Sequence, residues 1–336
     1  MSQKLLSIAI PTWNRAEILK NSLSRLLPQI LECKEDIQFI ISDNASDDNT
    51  IEIIKTLLNQ YPDIESTVFR QSENTGYYGN FKKCRELATG KYFWLLSDNE
   101  VIANGVLKLI IENLIHETGI GIVYLNNDPR QYEFVAFKTS FDQLFKIRNY
   151  RLTFISACIL LNRKDSDKDI FVDFYDNSFL GFVLLLSVRK HTNQAIEICG
   201  SVYESLPAVV SFNIFSCWTK DIFQCFSYIA KENLFEKDAV EGMKENILEF
   251  VLKDHMTSYK LHGSYYGKNL GTFIENYNLL NQYYVHNQAF SKIVKIKYTP
   301  NFILFTKIYL RKSLRKLKKI FTSNASNNET RFDRRS

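Results

Sequence analysis

Short apolar segments alternate with helix-like segments over the first 125 residues of this 336-residue chain. The apolar segments have the length of buried strands, and the segments between them carry apolar residues at helical spacing. Strands that alternate with helices form a mostly parallel sheet with helices on both faces. The alternation therefore predicts an α/β fold with a Rossmann-like sheet. Its first five strands are expected at residues 5–10, 37–41, 67–70, 92–96 and 120–125.

Polar segments follow the first four predicted strands, at residues 11–14, 42–48, 71–79 and 97–100. Three of these four segments are rich in Asp, Asn and Ser. Ligands of open parallel sheets bind at the carboxyl ends of the strands. The sequence therefore predicts a site for a polar ligand at this edge of the sheet.

The pattern is less regular beyond residue 125. We expect a strand at 154–161, a buried helix or strand at 179–188, and strands within 196–210. Helical spacing returns at Asp221 and continues to about residue 290. The predicted regions are a sheet domain at 1–215, a helical C-terminal region at 216–297, a basic amphipathic helix at 298–321 and a disordered tail at 322–336.

Five sequence blocks within the first 100 residues are similar to the successive blocks of the family 2 glycosyltransferases. Each block alone is weakly specific, whereas their order and spacing are specific. They are Ile-Ala-Ile-Pro-Thr-Trp-Asn-Arg at 8–15, Ile-Ser-Asp-Asn-Ala-Ser with an Asp at 41–48, Asn-Thr-Gly at 74–76 with Asn80, Ala-Thr-Gly-Lys-Tyr at 88–92 and Leu-Ser-Asp-Asn-Glu at 96–100. The resemblance covers roughly residues 4–125 and has nothing firm after about residue 215.

The resemblance implies the glycosyltransferase A fold and transfer of a sugar, with inversion, from a nucleotide diphosphate sugar to a hydroxyl group. It also implies which residues bind the donor. Carried over residue by residue, these are Pro11, Thr12, Asn14, Arg15, Asp43, Asn44, Asn74, Gly76 and Asp98. Two alternatives stay open: Asp43 and Ser46 could cap the helix that begins near Asp48, and Asp98 with Glu100 could be a solvated turn.

The acidic block of the family binds Mg²⁺ or Mn²⁺, and here it reads Asp98-Asn99-Glu100. The family often has two or three aspartates in this block. Asn and Glu both supply the oxygen ligands that such cations prefer, but a neutral Asn supplies less charge. Metal-independent donor binding and loss of activity are therefore both open. A catalytically silent member that binds nucleotide sugars or acts as a scaffold subunit is the alternative function.

The catalytic base of the family is usually an Asp or Glu that precedes a helix late in the domain. Asp173 and Asp176 precede the apolar segment 179–188 and are the best-placed candidates. Their surroundings match no family block, so an exposed loop is the alternative. A nucleotidyltransferase could share the same sheet, but it would need a Gly- and Arg-rich loop after the first strand, which residues 11–15 lack.

The net charge of +5 is concentrated at the C-terminus, where residues 300–336 hold ten Lys/Arg against Glu329 and Asp333. Within 298–321, an apolar stripe is flanked by cations, as in helices that lie on anionic membranes. Nucleic-acid binding or a helix packed on the domain are weaker alternatives. We therefore expect a cytoplasmic protein that is peripheral on the inner face of the membrane. Its expected partners are a nucleotide diphosphate sugar, a lipid-linked glycan of O-antigen or capsule assembly, and an anionic membrane surface, and no nucleic acid is expected.

Overall fold

A computed structural model describes residues 3–165, 167–207, 213–263, 271–306 and 310 of the chain. The chain divides into two compact units after Met243. The first unit holds the sheet and the second is helical.

An eight-stranded mixed sheet forms the centre of the first unit, in the order β3-β2-β1-β4-β8-β6-β9-β7. Strands β1 to β4 pair in parallel, while β8 runs antiparallel to both β4 and β6. The last pairings are β6 with β9 in parallel and β9 with β7 antiparallel. Two short strands, β5 and β10, form a separate antiparallel pair. The strands are β1 Leu6–Thr12, β2 Ile37–Asp43, β3 Ser66–Arg70, β4 Tyr92–Leu95, β5 Glu100–Ile102, β6 Ile122–Asn127, β7 Val135–Ser140, β8 Cys158–Leu161, β9 Gln194–Gly200 and β10 Tyr203–Ser205.

Helices cover the sheet and explain why its central strands are continuously apolar. Ile8 and Phe39 are fully buried, as are Leu19 and Leu23 on the apolar stripe of α1. Burying one such side chain stabilises the fold by roughly 1.5–3 kcal/mol. The helices of this unit are α1 Ala16–Glu32, α2 Thr50–Leu58, α3 Gly76–Leu87, α4 Val106–His116, α5 Phe141–Arg148, α6 Asp167–Asp173, α7 Leu180–Arg189, α8 Ile214–Ser216 and α9 Ile222–Glu232.

The predicted α/β fold class is confirmed, and the five predicted strands appear as β1, β2, β3, β4 and β6. The predicted strand at 154–161 is wrong in its first half. Residues Ile155–Ala157 form a 3₁₀ turn, which lets the Ser156 carbonyl accept the indole N–H of Trp94 at 2.8 Å. The segment 179–188 is the helix α7.

The elements that the sequence pattern did not predict include β5, β7, α5 and α6. Strand β5 has three residues and pairs only with β10, about a hundred positions later in the chain. Strand β7 is half-exposed at the edge of the sheet. Both strands are defined by a distant partner, and neither has a run of apolar residues long enough to be recognised.

The second unit consists of helices, as the sequence predicts from Asp221 onward. Helix α10 Lys237–Asn246 leads into it across the division. Its other helices are α11 Lys253–His262, α12 Phe273–Tyr284 and α13 Ser291–Tyr298. The boundary at residue 215 stays a prediction. The basic helix of 298–321 is described only for 298–306 and 310, and the tail at 322–336 lies outside the described residues. None of the helices within the described ranges has the length and apolarity needed to cross a bilayer.

Candidate active site

The carboxyl ends of β1, β2 and β3 lie side by side at one edge of the sheet. Thr12 pairs with Asp43, and Asp43 pairs with Arg70, so three polar residues end three neighbouring strands in register. Half-buried Pro11 pairs with Ser42 one step earlier. Every donor residue implied by the resemblance lies at this edge or in the turns that follow these strands and β4.

Asn14 ties the turn after β1 to the turn after β2. It adopts a φ of +52°, a conformation that Asn tolerates better than most residues. Its backbone N–H donates to the Ser46 hydroxyl at 2.9 Å, and its side-chain oxygen accepts the Asp47 N–H at 2.7 Å. The two turns therefore form one hydrogen-bonded platform.

Asp43 is completely buried beneath this platform. Its carboxylate accepts the Ser46 backbone N–H at 3.2 Å and also the Ser46 hydroxyl, while the Arg70 Nε lies 3.3 Å away. Buried carboxylates need such partners, because an unpaired buried charge is very costly. Asp43 thus holds its own loop together. The capping alternative is wrong, because α2 begins at Thr50 and the bonds of Asp43 and Ser46 go to each other, to Arg70 and to Asn14.

Asn44 joins β2 to the start of α3. Its amide donates to the Asn74 side chain at 2.8 Å and to the Gly76 carbonyl at 3.2 Å, and its oxygen accepts the Thr75 N–H at 3.0 Å. Gly76 has a φ of +70°, which favours glycine. These contacts bring Asn74 and Gly76 beside the nucleotide-binding candidates. Asn80, also buried, bonds to Ser42.

Asp98 lies opposite Thr12 in a buried turn after β4. Its carboxylate accepts the Thr12 hydroxyl at 2.9 Å and the Arg15 guanidinium at 2.7 Å. Burial raises the pKa of Asp98, and Arg15 and Thr12 oppose that rise. Arg15 is 30% exposed on the side chain, so its cation reaches both the buried carboxylate and the open edge of the sheet.

Glu100 is a second buried carboxylate two residues further on. It accepts the Ser205 hydroxyl of β10 at 2.7 Å. Burial raises the pKa of Glu100 to about 7, the Ser205 bond opposes the rise, and the nearby Asp98 adds to it. Asn99 lies between the two carboxylates and donates to the Leu206 carbonyl at 2.9 Å.

The acidic turn fits a divalent cation in its chemistry and its charge. Asp98, Asn99 and Glu100 all carry oxygen ligands, which hard cations prefer. Arg15 pairs with Asp98, whereas Glu100 has no ion pair within the described residues, so the ionised turn holds one more negative charge than the protein neutralises. No cluster of three or more His, Cys, Asp or Glu side chains suited to a metal occurs in the described part of the chain. A cation here would therefore take several ligands from the diphosphate or water, as Mg²⁺ commonly does.

Asp173 and Asp176 lie apart from this cluster. Both are exposed. Asp173 ends α6, and Asp176 lies in the segment between α6 and α7 with a φ of +57°. In the described ranges, neither carboxylate hydrogen-bonds or ion-pairs with the acidic turn. The segment packs on α3 through the rings of Tyr175 and Tyr78, whose centroids are 4.8 Å apart.

Sequence reasoning missed two residues that hold the site together, Arg70 and Ser205. Arg70 ends β3 and supplies the cation beside Asp43. Ser205 lies more than a hundred positions from Glu100 and meets it only through the β5–β10 pair. The single signal for Arg70 was a cation at a predicted strand end, and Ser205 had none.

Comparison with known proteins identifies the family. Residues 7–171 match the model of glycosyl transferase family 2. The chain contains a family 2 glycosyltransferase domain. The matched region contains the acidic turn and the ends of β1 to β4.

Relatives of this glycosyltransferase agree with that assignment. The abequosyltransferase RfbV of Salmonella typhimurium is 27% identical over 286 residues, 79% of this chain and 77% of the relative. The GalNAc(5)-diNAcBac-PP-undecaprenol beta-1,3-glucosyltransferase of Campylobacter jejuni is 25% identical over 107 residues, 32% of this chain and 33% of the relative.

A solved structure matches over most of the chain. The mannosyltransferase PcManGT from Pyrobaculum calidifontis, determined in complex with GDP-Man and Mn²⁺, is 13% identical. It has a TM-score of 0.52 and covers 89% of this chain and 88% of its own. The likeness confirms the predicted glycosyltransferase A fold.

Proposed function

We propose that this glycosyltransferase moves a sugar from a nucleotide diphosphate sugar to a hydroxyl of a lipid-linked glycan during assembly of a surface polysaccharide such as an O-antigen or capsule. The observation that carries the proposal is the hydrogen-bonded group after β1 and β4, where Thr12, Asp98 and Arg15 meet. The names of two relatives support it, since one is an abequosyltransferase and the other has a PP-undecaprenol-linked acceptor.

We assign the nucleotide to the platform formed by the turns after β1 and β2. Pro11, Thr12, Asn14 and Asn44 offer it polar atoms at the edge of the sheet, and the buried Asp43 anchors the loop beneath. Asn74 and Gly76 shape the neighbouring loop through Asn44. The PcManGT complex with GDP-Man supports a nucleotide sugar as the ligand of this fold.

Arg15 is assigned to the leaving diphosphate. Its guanidinium is anchored on Asp98 at 2.7 Å, so it is already oriented before the ligand arrives. A cation that is held in place stabilises the charge that develops in the transition state without a cost of reorganisation. Asp98 therefore acts on the reaction partly through Arg15.

A divalent cation, Mg²⁺ or Mn²⁺, is assigned to Asp98, Asn99 and Glu100. When bound, such an ion neutralises charge on the diphosphate and so makes it a better leaving group. The excess buried negative charge of the turn supports this assignment, as does the Mn²⁺ in the PcManGT complex.

Asp173 or Asp176 is proposed to remove the proton from the acceptor hydroxyl, as a general base does. Both carboxylates are exposed, Asp173 at the end of α6 and Asp176 in the turn before α7. Neither is held by a side-chain bond within the described ranges, so each is free to meet an acceptor. Replacing each by Asn in turn tests the assignment. The variant that lacks the base should lose nearly all turnover, while its donor binding stays unchanged.

Donor binding is the decisive test. Purified protein is screened with UDP-, GDP- and CDP-sugars by thermal shift, and the best ligand is titrated by calorimetry with Mg²⁺, with Mn²⁺ and with EDTA. We expect one nucleotide sugar to bind, and chelation to weaken binding about tenfold or more because the diphosphate loses its counter-ion.

The matched variants are Asn44→Ala and Asn113→Ala. Both remove an amide that donates to a backbone carbonyl, from the buried Asn44 and the half-buried Asn113. Among the described residues, however, the Asn113 amide bonds only within its own helix. Donor binding should be lost in the first variant and kept in the second. The proposal fails if no nucleotide sugar binds or is hydrolysed with either metal present.

Membrane attachment through the C-terminal region is a further part of the proposal. Tyr298 and Phe302 are 72% and 70% exposed, and Lys295 is exposed nearby. Exposed aromatic rings beside cations are typical of segments that lie at an anionic membrane interface. We expect the full chain to float with phosphatidylglycerol vesicles and a chain that ends at Pro300 not to do so. If the full and the shortened chains float equally, the C-terminal segment is not the anchor.

A further inference from the structure

Beyond the acidic turn, the same edge of the sheet carries an aromatic pair. Tyr203 of β10 lies across from Ile102 of β5, two positions from the Ser205–Glu100 contact. The Tyr203 ring packs against that of Phe154, with centroids 5.7 Å apart and planes tilted by 37°. Phe154 is 38% exposed, although it is a large apolar residue. An open pair of rings therefore borders the acidic turn.

Arg151 is joined to Phe154 through the backbone, because the Phe154 N–H donates to the Arg151 carbonyl at 3.1 Å. It lies in the 3₁₀ turn Asn149–Thr153 that follows α5, and its side chain is exposed. Burial raises the pKa of both Tyr124 and Tyr203, and the Arg151 cation opposes the rise in both cases. Glu100 acts on Tyr203 in the opposite direction. The Tyr203 hydroxyl thus lies within electrostatic range of both the acidic turn and Arg151.

Two other arginines in this part of the first unit are already neutralised. Arg148, at the end of α5, pairs with the buried Glu197 of β9 at 2.6 Å. Arg130, after β6, pairs with Asp128 at 2.7 Å. Arg151 has no ion pair with any residue in the described part of the chain. An exposed cation without a carboxylate partner in the described residues is available to bind an anion.

The position of these residues relative to the donor site indicates which substrate they meet. The donor candidates lie at the ends of β1, β2 and β3, and β4 with its acidic turn comes next in the sheet. Arg151, Phe154 and Tyr203 lie beyond that turn, towards β8 and β6. A molecule bound to them would approach the acidic turn from the side opposite the nucleotide.

We propose that Arg151, Phe154 and Tyr203 form an acceptor subsite that binds an anionic group next to a sugar ring. The guanidinium pairs with a phosphate or a carboxylate, both of which match its planar donors. The rings of Phe154 and Tyr203 supply the apolar face against which the sugar packs. This inference rests on the proposed glycosyl transfer, since it names the chemistry of that reaction's acceptor.

Two anionic probes distinguish the sources of the charge. Inorganic pyrophosphate represents the phosphate of a lipid carrier, glucuronate represents an acidic sugar, and glucose is the neutral control. Each is titrated by calorimetry into the full chain saturated with its nucleoside diphosphate, so that the donor site is closed to pyrophosphate. We expect at least one anionic probe to bind and glucose to bind more weakly than glucuronate.

Arg151→Gln should weaken binding of the anionic probe about tenfold or more, because a charge-assisted bond is lost. Arg130→Gln, which changes an exposed arginine that already has a partner, should leave it unchanged. Phe154→Ala should weaken glucuronate but not pyrophosphate. Nucleotide affinity, measured on the same samples, should stay at the wild-type value in all three variants.

The inference is overturned if neither anionic probe binds the wild type, or if Arg151→Gln binds both as well as the wild type does. Neither result bears on donor binding, which is measured separately. A wild type that binds no nucleotide contradicts the proposed function instead. In that case the glucuronate titration, which does not require a closed donor site, still tests Arg151.

Discussion

The tripeptide Ser-Asp-Asn occurs twice in the site, at residues 42–44 where β2 ends and at 97–99 shortly after β4. In the first copy, Asp43 is enclosed by Ser46 and Arg70, and one arginine faces one carboxylate. In the second copy, Asp98 has Arg15, but Glu100 adds another buried carboxylate. The same three residues therefore build a closed, neutralised loop in one place and a turn with excess negative charge in the other. The balance of charge around a motif decides its chemistry.

Among the substitutions that test this comparison, Asp98→Asn should have the largest effect, and that effect is on the turnover number. Asp98→Asn keeps an oxygen for the Thr12 hydroxyl but removes the charge that orients Arg15. We expect the turnover number to fall by about 100- to 1,000-fold, the cost of losing one preorganised electrostatic group. Steady-state kinetics measures the fall, and circular dichroism checks the fold. Turnover within tenfold of the wild type would contradict the role given to Asp98.

The second copy should also make the free energy of unfolding depend on pH, through Glu100. The pKa of Glu100 is about 7 in the folded protein, above the ordinary value of a glutamate. The folded state therefore keeps this proton at a pH where the unfolded state has lost it, and stability falls as pH rises from about 4.5 to 7. In metal-free buffer, Glu100→Gln should raise the free energy of unfolding by roughly 2–3 kcal/mol at pH 8 and change little near pH 4.

Urea denaturation at the two pH values measures this difference. The analogous substitution in the balanced copy, Asp43→Asn, is the control. It should lower stability at pH 8, because Arg70 loses its ion-pair partner and one of the two acceptor oxygens becomes a donor. A Glu100→Gln variant that is destabilised at pH 8 would show that the carboxylate is fully compensated.

Removing Arg70 should leave the first copy of the tripeptide with an uncompensated buried carboxylate, as in the second copy. Arg70→Gln leaves the buried Asp43 with Ser46 alone, and we expect a loss of about 1–2 kcal/mol in the free energy of unfolding. Arg25→Gln, an exposed arginine of α1, should change stability by less than about 0.5 kcal/mol. If both variants unfold at the wild-type urea concentration, the Arg70 contact contributes nothing.

The smallest expected effects come from substitutions at two glycines, and they distinguish the stability cost of backbone strain from a loss of donor affinity. Gly76 and Gly105 have φ values of +70° and +84°, and an added Cβ would meet no atom within 4 Å at either position. Alanine should therefore cost about 1 kcal/mol of stability at both, from the left-handed backbone alone. Donor affinity should fall only in Gly76→Ala, whose carbonyl accepts the Asn44 amide. Equal donor affinity in the two variants would remove Gly76 from the site.

The donor half of the site could be predicted because its residues follow strands that are visible in the sequence. Thr12, Asp43 and Asp98 each come at or shortly after the end of a buried apolar strand, and parallel pairing brings such ends to one edge. The residues of the proposed acceptor subsite had no comparable signal. Arg151 and Phe154 fall where the sequence was expected to be irregular or a strand, and the 3₁₀ turns there form only in the folded chain.

By itself, the sequence determined the α/β class, the order of its first strands and the polar turns that follow them, because periodicity and turn chemistry are local properties. Only the tertiary structure decided which charges are neutralised. Asp43 meets Arg70, Asp98 meets Arg15, and Glu100 meets Ser205 across separations of 27 to 105 positions. An ion pair depends on a few ångströms of distance and on exclusion from water, and neither quantity is present in the order of the residues.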